Sequence, residues 1–195
     1  MVEERVRLGR VADEASRAAQ GSAQAEMIGD TASFVEYWRK VRGRTARLLD
    51  LVPAEDLEWS HTAGKYTFGD IFRHLPGIER YMYAETVRHR PSAYPGHAIE
   101  LARGREGIRS RMERCHAESL EIFGSLTPAD LESKCLTASG TPITVWKWLR
   151  AMVEHEAHHR GQLYLMLGMR GIETPPLYGL TEEEVAALSR PDRER

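Results

Sequence analysis

Cysteine is scarce in this chain, with two residues, Cys115 and Cys135, among 195. That excludes a disulfide-stapled scaffold and a close cysteine pair for metal, so both read as free thiols suited to a reducing cytoplasm. Long apolar runs are missing too. No segment approaches the roughly 20 apolar residues of a spanning helix, and the charged start Met1-Val2-Glu3-Glu4-Arg5 has no apolar stretch behind it, which argues against a signal peptide or membrane anchor. There is no excess of one charge, since 27 basic residues face 29 acidic ones for a net charge of −2. No global field draws the protein to nucleic acid or to an anionic membrane. The densest basic run, Arg103, Arg105, Arg109, Arg111 and Arg114, is interleaved by Glu106 and Glu113 and reads as a solvated helix face.

What is present is ordinary globular composition, 42% hydrophobic and 29% charged, enough to bury one sizeable core. Residues 1–28 carry no strong apolar stripe and predict an N-terminal helical arm. Phe34, Val35, Trp38, Val41, Ala46, Leu48 and Leu49 define the first amphipathic helix, ending near Leu51. Thr67 is placed to cap a second one carrying Phe68, Ile71, Phe72, Leu75, Ile78 and Met82, with His74 on the same stripe. Pro76 removes a backbone donor there and predicts a kink close to His74. A third helix is expected from Ile99 to Gly124, then a short turn capped by Thr127 and a loop or small hairpin around Ser139-Gly140. The last long helix runs from near Ile143 to Leu167, with Gly168 and Gly171 as stop signals. Little strand signal and four amphipathic helices predict an all-α antiparallel four-helix bundle over residues 29–173. A Pro-rich crossing segment and a short C-terminal helix follow at 174–195.

The chemistry is concentrated in His155-Glu156-Ala157-His158-His159. Residues four apart share a helical face with Cβ atoms about 5–6 Å apart, so His155 and His159 can reach one cation. Both fall on the face formed by Val145, Trp148, Leu149, Met152, Leu163 and Met166. A buried unpaired imidazole costs about 1–3 kcal/mol, and a shared metal satisfies two at once, although a carboxylate or carbonyl partner would satisfy each singly. His74 inward on another helix favours the metal. His61, His89, His97 and His116 fall in connectors or off the apolar stripes. Three neutral imidazoles suit zinc, nickel, iron or manganese and leave coordination positions open. Asp70 and Glu156 are candidates to hold ligand rings in place, while Trp38, Tyr81, Trp146, Trp148, Tyr164 and Tyr178 could form an aromatic pocket wall.

The run His155-Glu156-Ala157-His158-His159-Arg160-Gly161-Gln162, with lone His74 upstream, resembles the DinB-like (DinB/YfiT) superfamily over roughly residues 30–170. That resemblance implies an up-down-down-up bundle, often a homodimer, with a metal held by His74, His155 and His159. Gly161 would let a neighbouring helix approach, and Gln162 would reach toward the site. Family members of known activity imply metal-dependent thiol S-transferase chemistry, in which a low-molecular-weight thiol cosubstrate and a small-molecule substrate meet at the cation. Two other readings stay open. One is a non-enzymatic, metal-stabilised, stress-related module. The other takes His155-Glu156-x-x-His159 as a zinc-hydrolase motif with Glu156 as general base.

Overall fold

The computed structural model describes residues 30–189, so the expected N-terminal arm and the last six residues lie outside the described part. Helix α1, Thr31–Ala46, starts at Asp30, whose carboxylate accepts from the Ser33 amide at 2.7 Å. It buries Phe34, Trp38, Val41, Arg42 and Thr45, a spacing of three and four that keeps one face inward. A short helical turn, Leu48–Leu51, continues it. Helix α2, Phe68–Ile78, opens with a capping box in which Thr67 and Asp70 exchange backbone and side-chain hydrogen bonds. Pro76 does not simply bend this helix. The chain passes instead into a π-helical stretch, Glu79–Tyr83, and a last turn, Ala84–Thr86. A proline contributes no amide to the ladder, and just after it the ladder widens to the five-residue bond from the Ala84 amide to Glu79 O.

Helix α3 spans Gly104–Gly124. Ile99–Leu101 forms a separate 3-10 turn before it, and Gly104, at φ +63°, makes the entry bend. The short α4, Pro128–Glu132, carries the expected Thr127 cap. Strands β1, Lys134–Leu136, and β2, Pro142–Thr144, then form an antiparallel hairpin with Cys135 opposite Ile143. Ile143 therefore belongs to β2, and helix α5 runs Val145–Met169. Gly168 stays inside α5. Gly171 is the stop, at φ +68°, where the Ile172 amide closes back onto Leu167 O. A final helix α6, Glu182–Leu188, is capped by Thr181 and exposed along its length.

Contacts between the long helices set the topology. Phe34 meets Phe123 and Trp38 meets His116, so α1 and α3 are antiparallel. Gly77 lies against Arg111 and Arg80 binds Glu118, so α2 and α3 are parallel. His74 faces His159 while Thr86 faces Trp148, so α2 and α5 are antiparallel. Arg42 meets Glu156 and Thr45 meets Arg160, so α1 and α5 are parallel. The bundle is thus up-down-down-up. Consecutive helices α1 and α2 sit on a diagonal, and each packs against both α3 and α5.

The core has two apolar halves. One gathers Phe34, Trp38, Phe123, Val145 and Leu149, and the other Leu48, Phe68, Phe72, Ile108 and Leu163. Between them runs a buried polar layer containing Arg42, His74, Glu79, Glu156, His159 and Arg160. The basic run on α3 is less uniformly solvated than its pattern suggests, because Arg111 is buried with its guanidinium over the Tyr81 ring. Cys115 and Cys135 are both free and buried. No helix of the described residues is long and apolar enough to cross a membrane.

Candidate metal centre

Two antiparallel helices bring three imidazoles to one point. His74 comes from α2, and His155 and His159 come from successive turns of α5. His74 Nε2 lies 3.2 Å from His155 Nε2. Ring centroids are 5.0 Å apart for His74 and His155, 4.8 Å for His74 and His159, and 4.6 Å for His155 and His159. One ring nitrogen from each lies within 4.8 Å of the others, and among the described residues this is the one group of three or more such donors. Nitrogens about 2.0–2.1 Å from a tetrahedral zinc stand about 3.3 Å from each other. The first pair is already at that spacing.

Burial decides the protonation state. It pushes the His74 imidazole down to about 3, with repulsion from His159 and His155 adding to the effect. His155 is pushed down to about 4 by burial first and then by repulsion from His159 and His158. His159 is also lowered by burial, against a hydrogen bond to Gln162 that favours the charged ring. At neutral pH all three are uncharged, and their lone pairs can bind a cation without first losing a proton. Two of the outer ring edges are occupied. His74 Nδ1 meets Tyr94 Oη at 2.6 Å, and His159 Nδ1 meets Gln162 Oε1 at 2.7 Å. A neutral imidazole that donates from Nδ1 keeps its lone pair on Nε2. The donor set therefore fits a divalent first-row cation, and with no carboxylate among the three the ion would keep its full charge and open positions.

The surroundings are uneven. His74 and His159 are buried, while His155 is half-buried and gives the group its more accessible edge. The Tyr66 ring stands against His74, His97 and His159 at 5.6, 4.8 and 5.7 Å. On one side of Tyr66 lies a cleft of about 450 Å³ lined by Gly64, Lys65, Asp70 and His97. On its other side lies a more apolar cavity of about 240 Å³ reaching Ile71, Gln162, Leu165, Met166 and Met169.

Several expected supports act elsewhere. Glu156 is one residue past His155, about 100° around the helix, and turns to α1. Its Oε2 is 3.0 Å from Arg42 Nη1, at 2% side-chain exposure. Burial raises the Glu156 carboxyl above the usual range despite Arg42. Arg42 also binds Glu79 at 2.5 Å, and Glu79 accepts from Trp38 Nε1 at 2.7 Å and pairs with His116 Nδ1 at 2.8 Å. Burial pushes Glu79 up, but Arg42 and His116 outweigh it and hold the carboxyl below the usual range. Asp70 serves the α2 cap and binds Arg73 rather than His74. Among the described residues no helix packs on Gly161, which is exposed and where a side chain would meet open space. His158 is exposed and bonds Gln162. The aromatic rings beside the imidazoles are Tyr66, Tyr83 and Tyr94, none of them in the expected wall, where Trp38 is fully buried and Tyr178 is 79% exposed. Tyr66 and Tyr94 sit in connectors. Without helical periodicity, nothing in the linear pattern points to them.

A helical bundle with three inward histidines from two helices defines a class of all-helical proteins whose core brings together a donor set able to hold a metal ion. Comparison with protein families makes the assignment specific. Residues 37–163 match the DinB superfamily, and the chain belongs to that superfamily. Its structure is similar to that of a DinB-like protein from Bacillus cereus, with a TM-score of 0.63 and 19% identity, covering 77% of this chain and 97% of that one. It is also similar to a DinB-like protein from Bacillus subtilis, with a TM-score of 0.61 and 16% identity, covering 75% of this chain and 97% of the other. At such identities the likeness is one of fold. No curated protein matches.

Proposed function

We propose that His74, His155 and His159 hold a divalent cation, with zinc and nickel the best fits, and that the loaded protein activates a low-molecular-weight thiol for transfer to an electrophilic small molecule. The observation that carries this reading is the convergence of three neutral imidazoles beside clefts of unlike lining. A bound cation supplies the positive charge that lowers the pKa of a thiol brought to it. The chain supplies the rest. Burial keeps the imidazoles uncharged, Tyr94 and Gln162 orient two of them, and Tyr66 keeps bulk water from one side of the group. Lys65, which lines both clefts, is placed to meet a carboxylate on either reactant.

The hydrolase reading asks Glu156 to activate a water at the metal. Its carboxyl is instead bound to Arg42 inside the core, out of position for that role. The test is metal analysis of the purified protein, followed by thermal melting with and without metal against a panel of small thiols. Metal at close to one equivalent, its loss in His155→Ala, and a thiol-dependent rise in melting temperature seen only in the loaded protein are the expected results. Metal binding with no shift from any thiol would favour the non-enzymatic module, and protein without affinity for metal would overturn the site.

A further inference from the structure

The loop between α2 and α3 is pinned where it passes the histidines. The Ala93 amide donates to Tyr81 O at 2.7 Å, and Arg73 Nε donates to His97 O at 2.9 Å. Between these anchors Tyr94 drops its ring against α2 at Gly77. A side chain on Gly77 would bring its Cβ to 3.3 Å from Tyr94 Cε2 and 3.2 Å from Arg111 Nη2. Such contacts are closer than ordinary packing, so glycine there makes the seat for the ring. The seat aims Tyr94 Oη at His74 Nδ1, 2.6 Å away, with the rings edge to face at 86°. On its far side Oη is 3.5 Å from His97 Nδ1. The outer hydrogen-bond partner of His159 comes from its own helix, where Gln162 Oε1 accepts from Nδ1. The outer partner of His74 comes from a loop.

From this geometry we infer that Tyr94 is the positioning residue of the site: its hydroxyl, seated by Gly77, holds the outer edge of His74 so that Nε2 faces the other two imidazoles. The inference rests on the reading of the three histidines as ligands. When His74 binds a cation through Nε2, Nδ1 carries the proton and donates to Tyr94 Oη, whose own proton turns toward His97 or a ligand. Removing the hydroxyl leaves a ring that can rotate about its own axis and an outer N–H with no partner. Loss of such outer hydrogen bonds typically weakens metal binding about 10- to 100-fold.

Zinc affinity measured by competition with a chromophoric chelator tests this in the wild type, Tyr94→Phe, Gly77→Ala and the double variant. Tyr94→Phe is expected to bind zinc about 10- to 100-fold more weakly, with the metal-free protein still folded, its melting temperature lowered only by the loss of the one hydrogen bond to His74 because the ring still fills its seat. The visible bands of its cobalt(II) form should move, a readout that packing alone would not alter. Gly77→Ala shifts the ring and should weaken binding by a second route. The double variant should be no worse than Tyr94→Phe, because both changes break the same contact. Wild-type protein that takes up no zinc would overturn the ligand assignment itself. Tight zinc binding by the wild type matched within twofold by Tyr94→Phe would overturn the role of Tyr94 alone.

Discussion

Metal-free protein should lose stability as pH falls below neutral, and the two most strongly shifted imidazoles set the size of the loss. In the unfolded chain a histidine titrates near 6.5, whereas His74 and His155 are pushed down to about 3 and about 4 in the fold. Between pH 6.5 and those values the unfolded state binds protons that the folded state refuses, so stability rises with pH across this window and falls on acidification. One pKa unit is worth about 1.4 kcal/mol. At pH 5, some 1.5 units below the unfolded value, each imidazole would account for about 2 kcal/mol if treated alone. The sum is smaller, because part of the His74 shift is repulsion from His159 and His155 that exists only once those rings are charged, and water screens the exposed edge of His155. About 3 kcal/mol for the pair is the expected loss between pH 7.5 and pH 5. Glu156 works in the opposite sense, since its carboxyl is raised by burial and gains stability on protonation. The comparison is therefore made by urea denaturation in a chelator against His74→Asn/His155→Asn, which keeps Glu156 and removes the imidazoles. A stability difference between the two proteins that is the same at pH 7.5 and pH 5 would refute the reasoning.

Arg42→Met should destabilise the protein by about 3–5 kcal/mol, because it strands Glu79 and Glu156 at 1% and 2% exposure without their shared cation. Adding Glu79→Gln and Glu156→Gln should recover much of that loss in chemical denaturation, and no recovery would mean that the arginine acts by packing instead. Gly69→Ala would place a Cβ 2.7 Å from Glu58 Oε1 and 2.8 Å from Arg73 Nη1. Since Arg73 is fully buried and tied to His97 O, a loss of about 1–3 kcal/mol is expected, and an unchanged denaturation midpoint would count against it.

How much of this was legible in the chain depended on whether local sequence carried the information. Asp30, Thr67, Thr127 and Thr181 each satisfy orphan amides from within their own first turn, so helix starts could be read from neighbours in sequence. The grouping of His74, His155 and His159 was legible because all three lie on apolar stripes, and stripes turn inward wherever a bundle forms. The buried face of α5 is wider than the expected stripe. It meets α1 on one side and α2 on the other, so Glu156, Arg160 and Leu167 are buried as well. Gly161 departs from expectation for a related reason. Small size permits a close approach, but only the packing decides whether a helix comes near, and among the described residues none does there.

The motif His155-Glu156-x-x-His159 shows how the same letters acquire different chemistry from a neighbouring helix. In isolation the glutamate is an available base one residue from a ligand. In this fold α1 runs parallel to α5 and places Arg42 between Glu156 and Glu79, so the carboxyl is committed to a buried network before any substrate could reach it. That network also accounts for the polar layer that splits the core. Two buried carboxylates with one arginine would be costly alone, since desolvating such charges outweighs a single pairing, and Trp38 and His116 supply further hydrogen bonds to Glu79. With Glu156 thus occupied on the α1 side, what α5 presents toward α2 is two uncharged imidazoles. The motif therefore presents a converging imidazole pair in this chain, and its acid belongs to the scaffold.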